Sequence, residues 1–571
     1  MMKIVFLVSV LLCSAQAVNT KTKKAVGDLN WWKNAVFYQI YPRSFKDSNN
    51  DGIGDLKGII SKLQHLKNAG VTAAWLSPVY ESPQVDQGYD ISNYTNIDKD
   101  YGTLEDFDEL VKAAHDLGLK VVMDFVPNHS SNLHQWFINS EKKVSGYEDY
   151  YIWKDGKSDG SPPNNWISVF SNSAWKYSEI RKQYYLHHFT VEQPDLNLGN
   201  PKVDLALLDV LKFWLDRGVD GFRMDAVPYL FEDKEWRDEP LSGTTNDSTS
   251  NAYLNHIYTQ NLPDTFKMIY RWREYLDNYT RDNGGDARIM MTEAYANITD
   301  TMKYYGDGDI EGAHFTFNFQ FITYLSNKSS AHDIVFEVNQ WLHYMPSKYV
   351  PNWVLGNHDN IRVATKFGPK RVDGMNTFTA FLPGVMVTYN GEEIGQENGE
   401  VTYAQGQDPN ACNAPPEQFD TLSRDFERTP YHWDNSTNAG FNAGAEPWLP
   451  VSKKYKETNL AAQSAEGVFS HFYLYKEIVE LRRLDTFKKG NLTIKALNNN
   501  VVAYTRTLKG SPTYIVVINI SGRWEEVDLS VFPEVNKTAR IVISTQPSKR
   551  GRIIPSIIVN LVPYESFVAQ V

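Results

Sequence analysis

Apolar residues recur along this chain in short runs, separated by longer stretches with a helical period. Runs at 36–41, 73–79, 120–126, 221–227, 288–294, 314–319, 353–356 and 385–389 make eight candidate strands. Between them, Ile59, Ile60, Leu63 and Leu66 fall on one helical face, as do Leu207, Leu208, Leu211 and Leu215 before Gly218 stops the helix. Eight strands alternating with helices predict parallel β-α units of an α/β protein. Closure into a (β/α)8 TIM barrel buries that many strands economically, and an open doubly wound sheet is the alternative. The gap between the third and fourth runs is too long for one crossover, so residues 130–195 are expected to form an inserted subdomain. Its Tyr150, Tyr151, Trp153, Trp166 and Trp175 suggest one wall of a cleft, or equally a small core. Past residue 485 the pattern changes to alternation, at 501–505, 514–518, 541–543 and 557–561. That period predicts a C-terminal antiparallel β-sandwich domain over 485–571, the barrel taking 18–129 and 196–484.

Composition narrows the class. The 571 residues are 42% hydrophobic and 13% aromatic, enough apolar surface to offset chain entropy and too much length for one ordinary core. A net charge of −12 argues against a nucleic-acid partner, because no basic excess exists to neutralise phosphates. Lys3, the apolar run from Ile4 to Cys13 and the small residues Ala15 and Ala17 predict a secretory signal peptide over 1–17. The run is shorter than the roughly 20 residues that cross a bilayer, so a secreted protein without a membrane span is expected. Removing the peptide removes Cys13 and leaves Cys412 alone, which excludes an internal disulfide. Asn-x-Ser/Thr sequons at Asn93, Asn246, Asn278, Asn297, Asn327, Asn435, Asn491, Asn519 and Asn536 suit a secreted glycoprotein.

The candidate chemistry lies at strand ends, where barrel enzymes gather it. In Gly-Phe-Arg-Met-Asp-Ala-Val from Gly221 to Val227, a strand puts Arg223 and Asp225 on one face. A cation beside the carboxylate is expected to keep Asp225 ionised and nucleophilic, although an Asp here also suits a helix cap or a buried ion pair. The third run ends in Asp124-Phe-Val-Pro-Asn128-His129, the fifth in Glu293-Ala-Tyr295 and the seventh in Asn357-His358-Asp359. Asp124 reads mainly as an orienting group. After the first strand, Asp47, Asn49, Asp51 and Asp55 alternate around Gly52, as Ca²⁺ coordination requires. The stretch lacks the Glu at the twelfth position of an EF-hand, and an Asx-rich turn is the competing reading.

In order and spacing these strand ends resemble the signature regions of the α-amylase family of glycoside hydrolases, over essentially the whole chain after the leader. Gln193-Pro-Asp-Leu-Asn197 and the stretch from Pro383 to Glu393 match as well. Asp86-Gln-Gly-Tyr89-Asp90 and Ser423-Arg-Asp-Phe-Glu-Arg428-Thr-Pro look most like the α-glucosidases, particularly secreted insect maltases. The resemblance implies Asp225 as nucleophile, Glu293 as acid/base and Asp359 as transition-state stabiliser, with Arg223 orienting Asp225. It implies His129 and His358 as binders of glucose hydroxyls, Tyr89 as the stacking platform, and Asp86 with Arg428 as the pair that closes the pocket. Ile53 would contribute its carbonyl to the metal loop. The small Ala226 implies preference for α-1,4 over α-1,6 bonds.

Retaining chemistry asks for an acid and a nucleophile about 5–5.5 Å apart, and for a raised pKa at Glu293. The expected partner is a small sugar such as maltose or sucrose, with a structural Ca²⁺ the only cofactor. Sucrose isomerases, transglucosidases and trehalose-cleaving relatives keep this chemistry with other products. A non-catalytic transporter heavy chain or receptor module would share the fold alone.

Overall fold

The computed structural model describes residues 25–535 and 537–571. The predicted signal peptide and the sequon at Asn536 lie outside the described residues.

All eight predicted strands form, as β1 Val36–Ile40, β2 Ala73–Leu76, β3 Lys120–Phe125, β4 Gly221–Met224, β5 Ile289–Thr292, β6 Phe315–Thr316, β7 Asn352–Val354 and β8 Val385–Tyr389. They pair in parallel in the order 6-5-4-3-2-1-8-7, the order of a barrel and not of a doubly wound sheet. The ring closes between β6 and β7 through one side chain. Asn352 donates to the Thr316 carbonyl at 2.6 Å and accepts the Asn318 N–H at 2.8 Å. Because both faces are covered, β1, β2, β4, β5 and β8 are buried at every position, which is why they read as unbroken apolar runs.

The helices begin and end where local chemistry dictates. Asp55 caps Leu56–Ala69 by accepting the Gly58 N–H, and Gly70 ends the helix at φ 82°, a left-handed backbone. Asn200 caps Pro201–Asp216, whose buried face holds Leu207, Leu211, Trp214 and Leu215. No helix among the described residues is long and apolar enough to cross a membrane.

Within 130–195 a three-stranded antiparallel sheet forms from Trp153–Lys154, Gln183–Leu186 and Trp175–Ser178. Of the two readings of its aromatics, the core wins. Tyr151, Trp166 and Trp175 are 1%, 1% and 4% exposed, and the cleft wall is built from other residues. At the C-terminal end, six strands from Asn491–Ala496 to Ser566–Gln570 form an antiparallel sheet, over which the pair Glu525–Val527 and Val559–Leu561 makes a second layer. The central strands of the sheet, Val501–Thr507, Tyr514–Asn519 and Ser566–Gln570, are buried on both faces. Val501, Ala503, Ile515 and Val517 pack in a core with Val527 and Leu561, while Val502, Tyr504, Val516 and Ile518 join the apolar cluster of the barrel. Tyr504 anchors that contact by donating to the Phe378 carbonyl at 2.6 Å.

Cys412 is a free thiol, half-buried. The sequon at Asn519 is closed by folding: the residue is 1% exposed and its amide donates to the Arg523 and Val562 carbonyls at 2.8 and 2.9 Å.

Candidate active site

A cavity of about 270 Å³ opens at the C-terminal ends of the barrel strands. Asp86, Tyr89, His129, Asp225, Ala226, Glu293, His358 and Asp359 all line it, so residues up to 273 positions apart in sequence meet in one space.

At its floor lies Arg223, 1% exposed, which serves three carboxylates. It pairs with Asp124 at 2.8 Å, with Glu293 at 3.1 Å and closely with Asp225. The parallel register sets this up, because β3 and β5 flank β4 and place Asp124 opposite Arg223. The Asp225 N–H extends the ladder to the Phe125 carbonyl at 2.9 Å, and the Glu293 N–H does the same to Met224. Ala226 then turns into left-handed backbone at φ 49° and donates its N–H to Glu293 Oε2 at 2.9 Å. This turn ends β4 at the reacting end of the cavity.

Two of the three carboxylates around this guanidinium are pushed toward their protonated forms. Burial pushes Asp225 well above its ordinary range; Arg223 pulls back, while Glu293, Asp124 and Asp359 push the same way as burial. Burial likewise raises Asp124 to about 6 against the pull of Arg223. The expectation that Arg223 alone sets the charge of Asp225 is therefore corrected: the guanidinium is divided among three carboxylates, and burial with the neighbouring acids pushes Asp225 up against it.

Tyr89 lies beside this cluster, its hydroxyl 3.2 Å from Asp124 Oδ2 and 2.7 Å from His358 Nε2, with its ring parallel to that of His358. Burial lowers His129 to about 4 and His358 to about 3, so both imidazoles are neutral at physiological pH and meet a ligand as hydrogen-bonding groups.

The wall opposite holds two further arginines. Arg424 joins Asp86 at 2.9 Å, Asp408 at 2.7 Å and Asp359 at 3.1 Å. Arg428 reaches Asp359 at 2.7 Å, the Gln87 amide oxygen at 3.0 Å and the His358 carbonyl at 2.9 Å. The partner of Asp86 is thus Arg424 rather than the expected Arg428, which is fully buried behind Asp359 and does not line the cavity. Burial raises Asp359, but His358, Arg424 and Arg428 outweigh it and hold the carboxyl well below its ordinary range.

Several lining groups escaped the sequence reading. Phe170, Phe189 and Tyr229 form the apolar side of the cavity, Phe189 packing on His129 and on Tyr229. Gln193 links the two walls, its amide nitrogen 3.2 Å from both Asp86 and His129. Arg424 carried a signal, since it sits in the same quoted motif as Arg428; the phenylalanines lie in irregular backbone and carried none.

The candidate metal loop contributes no residue to this cavity's lining. Asp47 accepts the N–H groups of Asn50 and Gly52 at 2.6 and 2.9 Å, Asp51 that of Ile53 at 2.9 Å, and Asn49 that of Asp51 at 3.1 Å. Asp55 caps its helix through the Gly58 N–H at 2.7 Å. These bonds are those of an Asx-rich turn. The donor set still suits a hard cation, being all oxygen with three carboxylates, of which Asp47 and Asp55 are 2% and 5% exposed.

Residues 39–490 match the family described as "Alpha amylase, catalytic domain". The chain belongs to the α-amylase family, a family of glycoside hydrolases. It is 50% identical to Maltase 1 of Drosophila virilis over 95% of this chain and 87% of that protein. It is 45% identical to an alpha-glucosidase of Apis mellifera over 89% and 88%. Among solved structures it is similar to the trehalulose synthase MutB of Pseudomonas mesoacidophila, with TM-score 0.83 and 31% identity over 95% of this chain and 99% of that one.

Proposed function

We propose that the protein is a secreted, retaining exo-α-glucosidase that removes terminal non-reducing glucose from maltose, sucrose and short α-1,4-linked oligosaccharides. The observation that carries this reading is one cavity lined both by Asp225 and Glu293, which share Arg223, and by the ion-paired Asp86 and Arg424. In this reading the pair blocks a glucan chain from threading through, so a terminal sugar fits and an internal one does not.

The chemistry follows from the two carboxyl groups. In this mechanism Glu293 carries the proton and Asp225 is ionised as the glycosidic oxygen arrives. Asp225 attacks the anomeric carbon, the bond to the leaving oxygen breaks, and Glu293 delivers its proton to that oxygen. Water, deprotonated by Glu293, then attacks the glucosyl ester and releases Asp225. Asp359, kept anionic by two guanidiniums, stabilises the positive charge that develops on the sugar ring. Neutral His129 and His358 bind hydroxyls, and Tyr89 lies under the ring. A mechanism-based α-glucoside label is expected on Asp225; labelling of another carboxylate overturns the assignment.

Transfer to a sugar acceptor or isomerisation of sucrose is the second reading, favoured by Tyr295, 44% exposed at the cavity mouth, where a leaving group can wait. Product analysis on sucrose separates the two: free glucose and fructose for hydrolysis, a new disaccharide for transfer.

We also propose that Asp47, Asn49, Asp51, Asp55 and the Ile53 carbonyl hold a structural Ca²⁺. The two buried carboxylates of the loop support this, since a divalent cation would compensate their charge. Chelation is expected to lower Tm without changing kcat on the fraction that stays folded. Unchanged melting and metal content after exhaustive chelation would leave only the Asx-rich turn.

A further inference from the structure

Beside the catalytic cavity runs a second groove of about 920 Å³, within the range of ~300–1,000 Å³ that holds a bound ligand. Tyr295 lines both spaces, so the groove begins where the cavity ends. Tyr295 is braced there by Phe319, ring centroids 4.3 Å apart and planes within 17°.

Beyond this pair the groove has features that a structural surface does not need. Tyr324 and Phe336 line it at 61% and 59% exposure, two aromatic side chains left open to water. Between them Glu337, on the helix Ala331–Tyr344, turns inward and is only 7% exposed. With its nitrogen turned toward Glu337, the Gln320 amide donates to the carboxylate at 2.7 Å. Burial and then the charge of Asp333 push the Glu337 carboxyl up to about 7, so near neutral pH it both donates and accepts. A buried acid without a compensating cation is unfavourable unless hydroxyl or amide partners meet it.

We infer that this groove binds the second and later glucosyl residues of the leaving group, making the protein selective for α-glucan oligosaccharides longer than maltose. The chemistry is complementary. A pyranose offers an apolar C–H face for Tyr324 and Phe336 and a rim of hydroxyls for Glu337, Gln320 and Gln340. The inference rests on the α-glucosidase reading, because that reading puts the leaving group on the Tyr295 side.

The test compares maltotetraose with maltose. Wild-type kcat/KM is expected to be several-fold higher on maltotetraose, and Tyr324→Ala, Phe336→Ala and the isosteric Glu337→Gln are each expected to cut that ratio by about five- to tenfold. A wild-type ratio at or below one, or a ratio that all three variants keep, overturns the groove. Binding separates this failure from failure of the glucosidase reading. If the wild type does not turn over maltose at all, that reading falls, and the groove is still judged by calorimetry of maltotetraose on the Asp225→Asn chain. There the three added substitutions are expected to weaken binding about tenfold, and equal affinity in all of them overturns the inference.

Discussion

Asp225 and Asp359 face the same cavity, yet their surroundings push them in opposite directions. Around Asp225, three carboxylates divide one guanidinium, and its carboxyl is driven up. Around Asp359, two guanidiniums serve Asp86, Asp359 and Asp408, and its carboxyl is driven down. Burial opposes ionisation at both, so burial does not distinguish them. The ratio of fixed cations to acids does. In the proposed mechanism the end that passes a proton to the leaving group holds one guanidinium for three acids, and the end that stays anionic holds two.

The largest test of this contrast is to neutralise each aspartate in turn. Asp225→Asn is expected to lower kcat by at least about a thousandfold. It should leave Tm level or raise it, because it relieves a crowded acid site. Asp359→Asn removes a shared partner from Arg424 and Arg428 and is expected to destabilise by about 1–3 kcal/mol, below the value for a fully buried pair because Asp359 is partly open. Scanning calorimetry of the two variants measures the difference; equal loss of Tm would show that the cation ratio does not govern them.

Removing the proposed proton donor comes next. Glu293→Gln is expected to reduce hydrolysis of maltose by about 10²–10⁴-fold, with a much smaller loss on activated aryl glucosides, whose leaving groups need little proton assistance. Equal losses on both substrates would remove Glu293 from the acid role.

A smaller effect sharpens the Asp225 side. Ala226 follows Asp225, the proposed nucleophile, in left-handed backbone and lines the cavity. Ala226→Val adds two methyl groups there and is expected to shift kcat/KM from maltose toward isomaltose by about tenfold. It also places a β-branched residue at φ 49°, at roughly 1–3 kcal/mol of stability. A folded variant with an unchanged substrate ratio would free this position from specificity.

The smallest effect is in pH-dependent melting. Asp124 titrates at about 6 in the fold against about 3.9 unfolded, so its contribution to stability is fullest below about 4 and is lost as pH rises to 6. Asp359 is depressed, so its contribution is present above about 4 and is lost as pH falls below that. Subtracting the melting curves of Asp124→Asn and Asp359→Asn from the wild type should give slopes of opposite sign, each in its own window. Slopes of one sign would contradict the contrast.

The sequence by itself determined the barrel and its reacting ends. A strand buried on both faces must be apolar along its length, so β1 to β8 were legible as runs, and Asp225, Glu293 and Asp359 stood out as charges where those runs stop. Helix ends were equally local, because Asp55 and Gly70 act within one turn. Tertiary structure decided what depends on distance between remote segments. Asp86 and Arg424 are 338 positions apart, and no local pattern says whether Arg424 or Arg428, one helical turn apart, reaches it. Phe170 and Phe189 became cavity wall and Trp166 became core because irregular backbone has no period from which to read a face, while the face of Trp175 was set by its pairing with the strand Gln183–Leu186. The sharing of Arg223 also belonged to the fold: one cation beside Asp225 in sequence predicted an ionised nucleophile, and the barrel brought two more acids to the same guanidinium.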